Sequence, residues 1–105
     1  VELAVEELFI NICSHAYPGA AGPVEITRAV VLDEDGVESL VITFSDCGSP
    51  FNPFEDAPPP DLDSGLEERR PGGLGILLVK SVADRFAHRG TGNGNETEIR
   101  FRARP

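Results

Sequence analysis

The stretch Glu7-Leu-Phe-Ile-Asn11-Ile-Cys-Ser-His15-Ala-Tyr17 carries two patterns at once. Val5, Leu8, Phe9, Ile12 and Ala16 recur at helical spacing and form one apolar stripe. Glu7, Asn11 and His15 stand four residues apart, so they align along one edge of that stripe. The pattern predicts a helix over residues 1–17, stopped by Pro18-Gly19. Glu6 falls on a different face. Leu3 and Ile10 lie roughly opposite the stripe, which predicts a second covered side, against an upstream segment or a second subunit. The chain starts inside this helical pattern with no Met and no capping residue before it, as expected of a fragment.

Downstream, residues 23–33 and 37–46 are rich in Val, Ile, Leu and Thr and predict two strands. Asp33-Glu-Asp35-Gly36 between them is a hairpin turn signal. Residues 49–71 form a long break full of prolines and carboxylates, a length that marks a functional or mobile loop. Gly73 to about Asp84 predicts a second helix with Leu74, Leu77, Leu78 and Val82 as its apolar side. A strand from Phe86, a turn at Gly90-Thr-Gly-Asn-Gly94 and a last strand over Glu96–Arg102 complete the chain. These elements predict a single α/β domain over residues 1–105, with helices covering one face of a largely antiparallel sheet.

Composition narrows the functional classes. The 105 residues suffice for one small core. A net charge of −9 argues against direct nucleic-acid binding, which needs basic surface. The charge suits a soluble protein that meets a basic partner. No apolar run is long enough to span a membrane, and no signal sequence opens the chain. Cys13 and Cys47 have neither metal-ligand nor disulfide-framework spacing, and read as reduced thiols of a cytoplasmic protein.

Three groups of residues offer chemistry. On the first helix, an Asn11 carbonyl oxygen suits Mg²⁺, which takes few protein ligands and leaves the rest to phosphate and water. A carboxylate one turn earlier, Glu7, can accept a proton from an attacking hydroxyl. Both equally suit a solvated helix face, and His15 suits packing as well as phosphate contact. Asp46 closes a strand before Cys47-Gly48. Its carboxylate can accept from an adenine amine, with a glycine beside it to let a base approach, although Asp is also common in turns. Gly72, Gly73 and Gly75 open the second helix, where free N–H groups attract anions. They form neither a P-loop nor a dinucleotide fingerprint, and a flexible hinge is the alternative.

In their order and spacing these motifs resemble the GHKL (Bergerat-fold) ATP-binding superfamily of gyrase, the heat-shock chaperone and histidine kinases. Asn11-x-x-x-His15-Ala-Tyr17, Asp46-x-Gly48-x-Pro-Phe-Asn-Pro53 and the run ending in Arg70-Pro-Gly-Gly-Leu-Gly75-Ile resemble its anti-sigma-factor serine/threonine kinase branch, the RsbW/SpoIIAB-like domains. The resemblance covers nearly the whole chain. It implies a Bergerat two-layer α/β sandwich with a mixed, mostly antiparallel sheet and with its N-terminal elements missing. It implies ATP and Mg²⁺ as cofactors, Asn11 as metal ligand and Glu7 as catalytic base. The further nucleotide contacts it implies are His15, whose role is less fixed, Asp46, Gly48, Gly73 and Gly75, with residues 49–71 as the ATP lid. Cys47 departs from the acidic or polar residue usual at its place. Arg69 or Arg70 could serve the γ-phosphate or simply solvate the surface. Asn95 and Thr97 match a weaker final motif.

The activity implied is phosphorylation of a serine on a STAS-domain anti-sigma-factor antagonist. A sigma factor is a further partner, and a homodimer the assembly the family suggests. A histidine-kinase-type ATPase domain and a non-catalytic nucleotide-binding switch are the alternatives. No dimerisation segment with a phosphorylatable His is visible to favour the former, and Glu7 speaks against the latter.

Overall fold

A computed structural model describes residues 1–56 and 73–103, with Gly73 and Leu74 described in their backbone only. The order of elements is α1 (Glu2–Ala16), β1 (Val24–Leu32), β2 (Glu38–Asp46), α2 (Pro53–Asp56), α3 (Gly73–Val82), β3 (Arg85–Thr91) and β4 (Gly94–Arg102). The strands form one sheet in the order β1-β2-β4-β3, and every described pair is antiparallel. With the helices on one face, this is the expected α/β sandwich.

The hairpin between β1 and β2 turns where Asp-Gly predicts. Gly36 adopts φ +79°, a conformation that costs a side chain strain but glycine little. Its N–H donates to the Asp33 carbonyl at 2.9 Å. The resulting register sets Asp46 opposite Val24 on one side and opposite Asn95 of β4 on the other. On the outer face, Arg100 and Arg102 pair with Asp33, Asp35 and Glu98 and tie this turn to β4.

The core lies between the helices and the two central strands. Phe44 and Ile99 from the sheet, Leu8 and Ile12 from α1, and Ile76 and Val79 from α3 are all buried. Fully burying such a side chain contributes roughly 1.5–3 kcal/mol. The helices are centred over β2 and β4. Ile26 and Val30 of β1 point to the same face as Ile42 and Phe44 yet remain 43% and 65% exposed.

Both helices are rotated relative to the sequence expectation. In α1 the buried set is Ala4, Leu8, Asn11, Ile12 and Ala16. Ala4 and Asn11 enter the contact, Val5 is half-buried, and Phe9 is 39% exposed. The reason is that α1 meets two partners, the sheet and α3, and its Glu7–Asn11 edge is turned toward α3. In α3, Gly75, Ile76 and Val79 face inward, while Leu77 and Val82 are 47% and 44% exposed and Leu78 is half-buried. Gly75 suits that rotation because a side chain there would overlap the Glu7 carboxylate as it now lies. Leu74's side chain lies outside the described residues. Leu3 and Ile10, expected to be covered, are 55% and 46% exposed among the described residues.

The break expected over 49–71 opens with an ordered piece. Phe51 and Phe54 enter the core. Asn52 caps α2 through its side chain, which accepts from the Phe54 N–H at 3.0 Å. The Asp56 carboxylate, one position past that of a capping box, accepts in return from the Asn52 N–H at 2.8 Å. Two phenylalanines thus supply the anchoring that the polar composition hides. The rest of the expected lid, residues 57–71, lies outside the described residues, as do Gly72, Arg69 and Arg70.

Candidate functional site

Glu7 sits half-buried in the middle of α1, with its carboxylate against the first turn of α3. A side chain at position 75 would overlap that carboxylate and would approach the Glu7 Cβ within 3.2 Å. Asn11, one turn further along α1, is fully buried. His15 follows at the next turn, half-buried, with its ring stacked on Phe51 at 5.0 Å between centroids. The three residues that share a helix edge in the sequence thus run along the side of α1 that meets α3 and the segment after β2. Gly73 begins α3, placing that helix's N-terminus near Glu7.

Asp46, the last residue of β2, is 6% exposed. Its Oδ1 accepts from the Gly48 N–H at 2.9 Å and from Asn95 Nδ2 at 2.8 Å. Its Oδ2 takes no hydrogen bond from the described residues. Gly48 serves packing as well as this turn. A side chain there would overlap the Ala16 carbonyl at the end of α1, to which the Ser49 N–H also donates at 2.8 Å. Tyr17 braces the same corner. Its hydroxyl donates to the Pro23 carbonyl at 2.7 Å and accepts from the Cys47 N–H at 2.8 Å. Cys13 lies near enough to feel Asp46: burial first, and then the Asp46 charge, raise its thiol above the ordinary value.

Sequence reasoning underrated Asn95. It faces Asp46 across β2 and β4 and is 2% exposed. The weaker final motif marks Asn95 but not its partner, because which residue lies across from Asp46 is a property of strand order and register. Thr97 is fully buried one step along the same face, and its Oγ1 meets no hydrogen-bond partner among the described residues. No three His, Cys, Asp or Glu side chains converge as a metal cage among the described residues, and none of their helices is long and apolar enough to cross a membrane.

The family model of the histidine kinase-like ATPase domain matches residues 1–101. The chain belongs to that family. Comparison with curated proteins and with solved structures gives no match. As a histidine kinase-like ATPase domain the chain is a GHKL-type ATP-binding domain. Three features of the described residues bear on where a ligand would sit. Asp46 Oδ2 accepts no hydrogen bond among the described residues, while Oδ1 accepts two. Thr97 holds a buried hydroxyl that meets no hydrogen-bond partner among the described residues, two residues from Asn95. Gly75 leaves a backbone surface beside Glu7 at the start of α3, where N–H groups favour phosphate.

Proposed function

We propose that the chain is the ATP-binding domain of a serine/threonine protein kinase of the anti-sigma regulatory factor type. Its substrate is a serine on a STAS-domain antagonist, and a sigma factor is its second partner. The observation that carries this reading is the placement of Glu7, held partly out of water at the first turn of α3 and one helical turn from Asn11.

Bound ATP with Mg²⁺ supplies the phosphoryl group to an acceptor hydroxyl. Glu7 takes the proton of that hydroxyl. Asn11 is the residue that would hold Mg²⁺, through its carboxamide oxygen. Because Asn11 is fully buried, that contact requires its surroundings to open. Asp46 accepts from the adenine amine through Oδ2, and Gly48 holds Oδ1 in place. Gly73 and Gly75 bring the α3 N-terminus to the phosphates. His15, stacked on Phe51, borders the site where residues 49–56 leave the sheet. The charge of −9 suits a basic patch on the partner, in a cytoplasmic setting. Leu3 and Ile10 give a second copy an apolar surface on α1.

The test is incubation of the intact protein with labelled ATP, Mg²⁺ and a STAS-domain protein. Acid-stable label on a serine of the STAS protein, lost in Glu7→Gln, is the expected result. Acid-labile label on a partner histidine would instead support a histidine-kinase-type domain. ATP binding with no transfer to either would leave a nucleotide-binding switch.

A further inference from the structure

We infer that Asn95 is a positioning residue for base selection: it fixes the Asp46 carboxylate so that Oδ2 alone is presented to a purine amine. The inference rests on the reading of Asp46 as the adenine acceptor.

The Asn95 side chain makes four hydrogen bonds. Nδ2 donates to Asp46 Oδ1 at 2.8 Å and to the Ser49 carbonyl at 2.8 Å. Oδ1 accepts from the Phe51 N–H at 3.0 Å and from His88 Nε2 at 2.9 Å. This exhausts the capacity of a carboxamide, two donors and two lone pairs. The assignment is fixed by its neighbours. A carboxylate and a backbone carbonyl only accept, so the nitrogen faces them. A backbone N–H only donates, so the oxygen faces Phe51. His88 must then present a protonated Nε2. Asn95 therefore joins four parts of the chain: the end of β2, the segment after it, β3 and its own strand.

A carboxylate rotates freely about its last torsion, because that torsion has only broad preferences. The Gly48 N–H alone holds one oxygen at one point. The Asn95 Nδ2 is a second donor to the same oxygen from across the sheet, and two donors from different directions fix the carboxylate plane. With Oδ1 doubly engaged, the remaining acceptor is Oδ2. An acceptor in a fixed place favours a purine bearing an amine at the facing position and repels one bearing a carbonyl. Specificity of this kind comes from buried polar groups that the wrong ligand leaves unpaired. The same amide also holds Ser49 and Phe51, so the wall beside the base and the acceptor are set by one side chain.

The experiment compares ATP and GTP affinity by calorimetry for the wild type, Asn95→Ser, Asp46→Asn and the double variant. The wild type is expected to prefer ATP, and Asn95→Ser to lose about tenfold in ATP affinity with little change for GTP, the scale of one hydrogen bond to a charged group. In the Asp46→Asn background the Asn95→Ser change is expected to have no further effect on the ATP-to-GTP ratio, because Asn95 acts through Asp46. Asn95→Ser lowering ATP and GTP affinity equally, or leaving the ratio intact, overturns the inference while the adenine reading stands. A wild type that does not distinguish the two nucleotides overturns both. A second measurement needs no substitution. In the wild type, the Asn95 side-chain amide resonances are expected to shift on adding adenosine and to stay in place with inorganic triphosphate. Resonances that ignore adenosine overturn the inference even if Asn95→Ser does not fold.

Discussion

The carboxylate of Glu7 occupies the space that a side chain at position 75 would need, so α1 and α3 meet through an acid and a glycine. The obstructing atom is the free end of a flexible side chain. A larger residue at position 75 therefore moves the acid more readily than it separates the helices.

Gly75→Ala is expected to leave stability nearly unchanged. Ala gains about 0.5–1 kcal/mol over Gly within a helix, and displacement of the Glu7 side chain offsets it. Phosphotransfer should fall sharply, because the carboxylate has moved. In a Glu7→Ala background the same change should raise the melting temperature, since no carboxylate is displaced and only the close Cβ of residue 7 remains to be accommodated. Thermal unfolding of the four forms checks this. Equal cost in both backgrounds would show that the two residues are not coupled.

Glu7→Gln should reduce phosphotransfer by about 10²–10⁴, the usual loss of a positioned base, with ATP affinity within a few-fold of wild type. Asn11→Ala should instead weaken Mg²⁺-dependent binding. It should also lower the melting temperature, because Asn11 is fully buried. Titration with and without Mg²⁺ separates the two effects.

Gly48→Ala meets a different obstacle. The overlapping atoms are the backbone carbonyl of Ala16 and its Cβ, which cannot swing aside. Overpacking of this kind costs about 1–3 kcal/mol. Denaturant unfolding should show a lower midpoint with an unchanged slope. A midpoint equal to that of wild type would mean that the end of α1 yields more easily than its contacts indicate.

The thiols should differ in reactivity. Cys47 is exposed, whereas burial and the Asp46 charge raise the Cys13 thiol above its ordinary value. A raised thiol value means less thiolate at a given pH, and thiolate is the reactive form. In a Cys47→Ser background the alkylation rate of Cys13 should therefore rise only at more alkaline pH than that of an unperturbed cysteine. Asp46→Asn should shift its pH–rate profile back toward lower pH. A profile that ignores Asp46→Asn would show that the carboxylate does not act on this sulfur.

Amide exchange without nucleotide should show protection at Phe51 and Asp56. Their N–H groups donate to Asn95 Oδ1 and to the Asn52 carbonyl. Rapid exchange at both positions would mean that this segment is not anchored before nucleotide binds.

Much of this fold is legible in the sequence because local rules govern it. Asp35-Gly36 sets the hairpin turn, and alternation and helical spacing place both long helices and all four strands within a few residues. The alignment of Glu7, Asn11 and His15 follows from helix geometry alone. Rotation of the helices is less legible. Leu77 and Val82 resemble core residues in any helical projection, but α3 turns inward the side on which Gly75 meets Glu7. Asp46 can be found from its motif and Asn95 matches only a weaker one; that the two face each other is not legible, since it depends on β4 lying next to β2. Phe51 and Phe54 were obscured by the prolines and carboxylates around them, which dominate the composition of the segment.

Tyr17 gives the chain an optical reporter. It is the single tyrosine, and the sequence contains no tryptophan, so near-ultraviolet emission above the phenylalanine background comes from one ring. The hydroxyl of that ring holds the backbone next to Asp46. A change in the path of residues 46–48 therefore alters the environment of the only strong fluorophore in the chain. Events at the corner formed by Tyr17 and residues 46–48 can thus be followed by intensity and lifetime without attaching a dye, and every substitution discussed above leaves that signal in place.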